Sequence, residues 1–179
     1  MNYERNSKSR YTDPIADLTL PTWNEIPDLD LYIDQVTALI NRYLFPLSAD
    51  GGKSVLTSTM VNNYVKGKII PAPVKKKYSK ETVAMLFVIV TLKTLFNMQE
   101  IHVIIDAVIH DHEIGEAYDI YRTTLEKMIH AVFSGETPES THPADEKIQL
   151  IENVCIAIAY QLDVKRRVAK KLESKESVK

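Results

Sequence analysis

Between Lys53 and Lys80 the chain carries seven lysines, at positions 53, 66, 68, 75, 76, 77 and 80, and no Asp, Glu or Arg. Outside that segment 15 basic residues face all 24 acidic ones, so the segment is +7 and the remainder −9. The formal net charge of −2 therefore conceals a strongly cationic stretch. Charges farther apart than about 8–10 Å are screened at physiological salt, so an approaching anion meets local density rather than the average. Ammonium groups clustered without carboxylates suit phosphate. A solvated lysine face is the other use of such a cluster.

A second feature lies inside the same stretch. Thr57-Ser58-Thr59-Met60-Val61-Asn62-Asn63-Tyr64-Val65-Lys66 predicts a helix, with Met60, Val61, Tyr64 and Val65 spaced to meet a core. The other side then presents Thr57, Ser58, Thr59, Asn62, Asn63 and Lys66. Hydroxyls and amides on an exposed helix bond to phosphates and base edges, and Asn can pair bidentately with adenine. The alternative is that the threonines only cap the helix and the asparagines are solvated.

Other groupings carry less chemistry. Gly51-Gly52-Lys53-Ser54 looks like the tail of a phosphate loop, but Leu47 stands where the motif needs its first glycine. His102, Asp106 and His110 recur every four residues, with His112 close by, and satisfied or solvated side chains explain this better than a metal does. Asp106, Asp111 and Glu113 have no nucleophile to serve. Lys165-Arg166-Arg167 with Lys170-Lys171 fits the cationic end of a helix better than a second phosphate contact. Cys155, the only cysteine, falls in an apolar stripe as a core residue would and excludes an intramolecular disulfide. No catalytic constellation, metal or cofactor is implied.

The elements that position these residues are predicted to be helices. Five glycines and eight prolines are too few for a fold of many short strands. Residues 1–27, with Pro14, Pro21 and Pro27, predict an extended arm that is loose at its start and docked later. Asp28 or Asp30 is expected to cap a first helix bearing Leu31, Ile33, Val36, Ile40, Tyr43 and Leu44, stopped by Pro46. After a loop at Ser48–Gly52 comes the Thr57–Lys66 helix, which Gly67 should end in a left-handed cap. Pro71 and Pro73 make the next stretch a short extended wing. Ser79, with Glu81 in the first turn, caps a helix to Phe96 that is apolar on nearly every face and is therefore central.

Asn97 breaks that helix, and Ile101, Ile104, Ile105, Val108 and Ile109 mark an amphipathic successor. A further helix spans about Gly115 to Phe133, with Tyr118, Tyr121, Leu125, Met128 and Val132 on one side. Ser134–His142 reads as a linker, and Pro143 suits the first turn of a last helix. Ile148, Ile151, Cys155, Ile158 and Leu162, widened by Val154 and Ala157, stripe that helix. The stripe either pairs two copies as a homodimer or packs on residues 117–133. Residues 28–110, 111–172 and 173–179 are thus read as a helix-turn-helix region, a C-terminal helical region and a disordered tail.

Val61-Asn62-Asn63-Tyr64-Val65-Lys66-Gly67-Lys68-Ile69-Ile70-Pro71-Ala72-Pro73, followed by Lys77-Tyr78-Ser79 and the apolar helix, resembles the MerR-type winged helix-turn-helix. More widely, the chain is similar to a family of small MerR-like proteins, of unknown function, from low-GC Gram-positive bacteria. The resemblance implies an all-α, MerR-like fold with additional C-terminal helices. It also implies that Asn62, Asn63, Lys66 and the wing lysines Lys75, Lys76 and Lys77 face nucleic acid, with Lys68 at the turn between them. The chain departs from the pattern in carrying Asn62 where MerR proteins usually have arginine, and Lys76 for the wing arginine. A lysine lacks the guanidinium fork.

The function expected is that of a DNA-binding transcriptional regulator whose partner is double-stranded DNA. The alternative is a protein-interaction adaptor that keeps the fold without reading DNA. Met1–Arg10 is too polar for a signal peptide, and Val83–Val90 is far shorter than the roughly 20 apolar residues that span a membrane. A cytoplasmic location is expected.

Overall fold

The computed structural model describes residues 13–48, 54–109, 113–140 and 146–176. Its elements, in chain order, are β1 (Leu31–Tyr32), α1 (Ile33–Leu44), α2 (Ser58–Lys66), β2 (Lys77–Tyr78), α3 (Lys80–Leu92), α4 (Met98–Ile109), α5 (Ile114–Ser134) and α6 (Glu146–Glu176). The protein is thus mostly helical, with one two-stranded antiparallel sheet pairing Leu31 with Tyr78 and Tyr32 with Lys77.

At the centre is α3, whose Val83, Ala84, Leu86, Phe87, Ile89, Val90 and Leu92 are all buried. A helix apolar on every side must be surrounded, and α1 and α5 pack directly on this one. Two threonines are buried with them. The Thr91 hydroxyl lies 3.1 and 2.8 Å from the carbonyls of Phe87 and Val88 and 2.8 Å from the Tyr121 hydroxyl, so its polar atom has partners. Ser79 caps α3 as expected, accepting from the Thr82 amide. The helix ends at Leu92 rather than Phe96, and Thr94, Leu95 and Phe96 close into a tight turn. Asn97 is a start signal as much as a stop. Its Oδ1 accepts from the amides of Gln99 and Glu100, and Glu100 Oε2 accepts from the Asn97 amide at 2.8 Å.

The N-terminal arm is docked along α5 by specific bonds. Tyr118 donates to the Pro21 carbonyl at 2.7 Å, Glu126 accepts from the Leu20 amide at 2.7 Å, and Asp119 accepts from the Trp23 amide at 3.0 Å. Arg122 bridges Asp119 and Glu126, so the two carboxylates that receive the arm are themselves held. Trp23 lies flat against Gly115, where a Cβ would stand 2.8 Å from the ring. That glycine is required for the approach.

Neither Asp28 nor Asp30 caps α1. Leu31 and Tyr32 are drawn into β1, and the Tyr32 amide is received by Gln35 Oε1 instead. Pairing with the wing outcompetes the local cap. The stripe on α5 is buried as read, and Gly135 ends that helix in the left-handed region at φ 80°. On α6, Ile151, Cys155, Ile158 and Leu162 are buried and face the chain's own α5, the most extensive helix pairing in the fold. Of the two uses open to that stripe, the intramolecular one is realised. Helix α6 continues to Glu176, through residues read as the start of a tail. The Gly51-Gly52 loop and Pro143 lie outside the described residues.

Candidate nucleic-acid interface

The site is built on α2. Val61 and Tyr64 are buried and Met60 and Val65 half-buried, whereas Thr57, Thr59, Asn62, Asn63 and Lys66 are exposed. Successive helical residues turn by 100°, so Thr59, Asn62, Asn63 and Lys66 share an arc of about 100° opposite the core residues. Thr57 has a narrower job than display, because its hydroxyl accepts from the Met60 amide at 3.3 Å as the helix N-cap. Ser58 is half-buried at the edge of the surface.

Sequence reasoning missed the residue that sets the angle of α2. Asn41, on α1, donates to the Leu56 carbonyl at 2.7 Å and accepts from the Leu56 amide at 3.1 Å. This two-way clamp ties the backbone just before α2 to α1. A lone amide in an apolar stripe was the available signal.

Beyond α2 the backbone turns through lysines. Gly67 ends the helix at φ −76°, and the left-handed residue is Lys68, at φ 56°. The Ile69 amide reaches the Tyr64 carbonyl and the Lys68 amide the Val65 carbonyl, which is a Schellman closure with lysine in glycine's usual place. The wing tip repeats the pattern. Val74 and Lys77 exchange two backbone bonds of 2.9 Å around Lys75 and Lys76, at φ 51° and 67°. Two positive φ values make a type I′ turn, normally the province of Asn-Gly. Replacing Lys75-Lys76 by Asn-Gly should therefore raise stability in urea melts by about 1–2 kcal/mol. The same variant should bind polyanions less well. A tip that is not stabilised would show that the lysines are held there without strain.

The lysines divide by what they touch. Lys66, Lys68, Lys75 and Lys76 are exposed and form no ion pair among the described residues. Lys77 is turned back from the tip by its place in β2, its Nζ 5.0 Å from the centre of the Tyr32 ring. Lys80 lies over Trp23 at 4.6 Å. Both are cations held against π faces and are less available to phosphate than their neighbours. Lys53 lies outside the described residues. In return the fold supplies Lys93 from the end of α3, its Nζ 5.5 Å from the Tyr64 ring centre but its side chain exposed where those of Lys77 and Lys80 are half-buried. With Asn63, Gln99 and His102 it borders a groove of about 460 Å³ alongside α2.

The other candidates separate in space. His102 and Asp106 are both exposed and 3.5 Å apart, while His110, Asp111 and His112 lie outside the described residues. No group of three metal-ligating side chains occurs among the described residues. Burial, reinforced by Glu152, pushes the Cys155 thiol well above its ordinary pKa, which disfavours a thiolate. Arg166 and Arg167 both engage Asp163 at 2.6 Å, so that pair of cations is partly neutralised on its own helix. Among the described residues, no helix is long and apolar enough to cross a membrane.

A family model described as Domain of unknown function (DUF1836) matches residues 21–123, a span that contains the whole of α2, the wing and α3. No curated protein and no solved structure matches the chain.

Proposed function

We propose, for this chain that belongs to the DUF1836 family, that α2 and the lysine wing, both inside the matched span, bind double-stranded DNA. One observation carries this reading. Thr59, Asn62, Asn63 and Lys66 form one exposed polar arc, Lys93 borders the groove beside it, and the exposed Lys68, Lys75 and Lys76 follow in the turn and wing, none of these lysines in an ion pair among the described residues. The lysines supply phosphate attraction that is indifferent to sequence, and the asparagines supply base-edge bonding that is not.

The order of parts supports a MerR-like winged helix-turn-helix: α1 clamped to α2, a turn at Gly67–Ile70, a hairpin wing paired to β1, and a central apolar helix. In this reading the protein is a cytoplasmic transcriptional regulator without catalytic chemistry. The adaptor reading draws on Asn62 in place of the MerR arginine and on Lys77 and Lys80 being taken up by Tyr32 and Trp23.

The two readings separate on sequence preference. Asn62→Ala and Asn63→Ala should each change which genomic fragments are selected, by roughly 1–3 kcal/mol for a bidentate base contact, or tenfold and more. Selection of bound fragments by wild type and variants measures this. If wild type selects nothing, or both variants select the same fragments as wild type, α2 does not read bases.

A further inference from the structure

We propose that the groove between α2 and the start of α4 binds a small organic acid, an apolar body bearing one carboxylate. The proposal does not rest on DNA binding. At about 460 Å³ the groove has the size of a small-molecule site, since such pockets run to roughly 300–1,000 Å³. Its lining has two parts. Met60 from α2, Ile69 from the turn and Met98 from α4 are half-buried and form an apolar wall together with Tyr64. Lys93, Asn63, Gln99 and His102 are exposed around that wall and carry the polar atoms. Methionines suit an apolar body of irregular shape, because the thioether is unbranched and polarisable.

Charge sets the sign of the ligand. Among the described residues no Asp or Glu lines the groove, and Lys93 is the one Lys or Arg that does. It forms no ion pair there, and its Nζ stands 5.5 Å from the centre of the Tyr64 ring, against the apolar wall. His102 has its own counter-charge in Asp106, 3.5 Å away. One unmatched cation asks for one anionic head.

Tyr64 supplies an independent observation. The residue is 3% exposed, and its hydroxyl is buried without a hydrogen-bond partner among the described residues. An unpaired buried hydroxyl costs about 1–3 kcal/mol, and few native ones are left so. A carboxylate held by Lys93 has a second oxygen to offer it, once a small turn of the ring presents the hydroxyl to the groove.

The start of α4 selects carboxylate over phosphate. A phosphate at a helix N-terminus is cradled by first-turn amides. Here the amides of Gln99 and Glu100 are both taken by Asn97 Oδ1, and Glu100 Oε2 holds the Asn97 amide. A phosphate would be left with one ammonium, whereas a carboxylate is satisfied by two donors. Asn63 belongs both to the groove and to the polar arc of α2, so a bound acid sits where it can alter what α2 contacts.

The probe is naphthalene-2-carboxylate, a flat apolar body with one carboxylate, titrated calorimetrically into the full chain at physiological salt. It should bind with a Kd below about 1 mM. Its neutral counterpart 2-naphthamide should bind about tenfold more weakly, the cost of one charge-assisted bond. Lys93→Ala should abolish the preference for acid over amide. Tyr64→Phe should weaken the acid severalfold without lowering the melting temperature, since the hydroxyl it removes has no protein partner to lose. 2-Naphthyl phosphate should bind no better than the carboxylate. No binding at about 1 mM overturns the proposal, as do equal affinities for acid and amide. It is overturned equally if Lys93→Ala keeps the preference, if Tyr64→Phe binds the acid as wild type does, or if the phosphate binds more tightly.

Discussion

Alanine at Lys66, Lys68, Lys75 and Lys76 together should flatten the salt dependence of DNA binding by roughly three to four units of log K per log salt. Each phosphate neutralised on duplex DNA contributes about 0.9 to that slope through counterion release. These four lysines are exposed and form no ion pair among the described residues, so none must first give up a carboxylate. The loss should be largest at low salt and the same on every sequence, because phosphate contacts carry no base information. Arginine at the same four positions preserves charge and should preserve the slope. Lysines 77 and 80 serve as internal controls. Their ammonium groups sit on Tyr32 and Trp23, so Lys77→Ala and Lys80→Ala should change the slope much less. An unchanged slope in the fourfold variant would remove the turn and wing from the interface.

The largest effect on stability is expected at Phe87. Its side chain is fully buried at the middle of α3, meeting Tyr43 edge-on at 5.8 Å and Tyr118 at 6.4 Å. Phe87→Ala leaves a cavity where α1, α3 and α5 converge and should cost about 3–5 kcal/mol. Native domains are stable by only about 5–15 kcal/mol, so the urea midpoint should fall steeply or the chain should fail to fold. Val103 on α4, 67% exposed, is the contrasting site, and Val103→Ala should stay within about 0.5 kcal/mol. A mild effect at Phe87 would mean that the helices do not share one core through α3.

The two faces of α2 and the burial of α3 and α5 were legible because helical periodicity is a local property. Met60, Val61, Tyr64 and Val65 announce their side within ten residues. What escaped is non-local. Strand β1 is two residues long, and its partner lies 46 positions away at Lys77–Tyr78, so nothing near Leu31 distinguishes a strand from the first turn of a helix. The capture of Lys77 by Tyr32 follows from that pairing. The positive φ expected at Gly67 falls on Lys68 because the Schellman closure places it one residue later, a choice made by backbone bonds to Tyr64 and Val65. Lys93 joins the surface only because α3 ends beside Tyr64. The stripe on α6 was visible, but an apolar stripe does not say whether it meets its own chain or another. Ile151, Cys155 and Ile158 meet their own.

The most direct test of the central claim is the binding of the full chain to duplex genomic fragments, measured across salt from low to physiological. The account predicts an affinity that falls log-linearly with salt, with a slope of about −3 or steeper from the exposed lysines. It also predicts that some fragments remain preferred at physiological salt. No binding even at low salt, or binding without salt dependence, would contradict it.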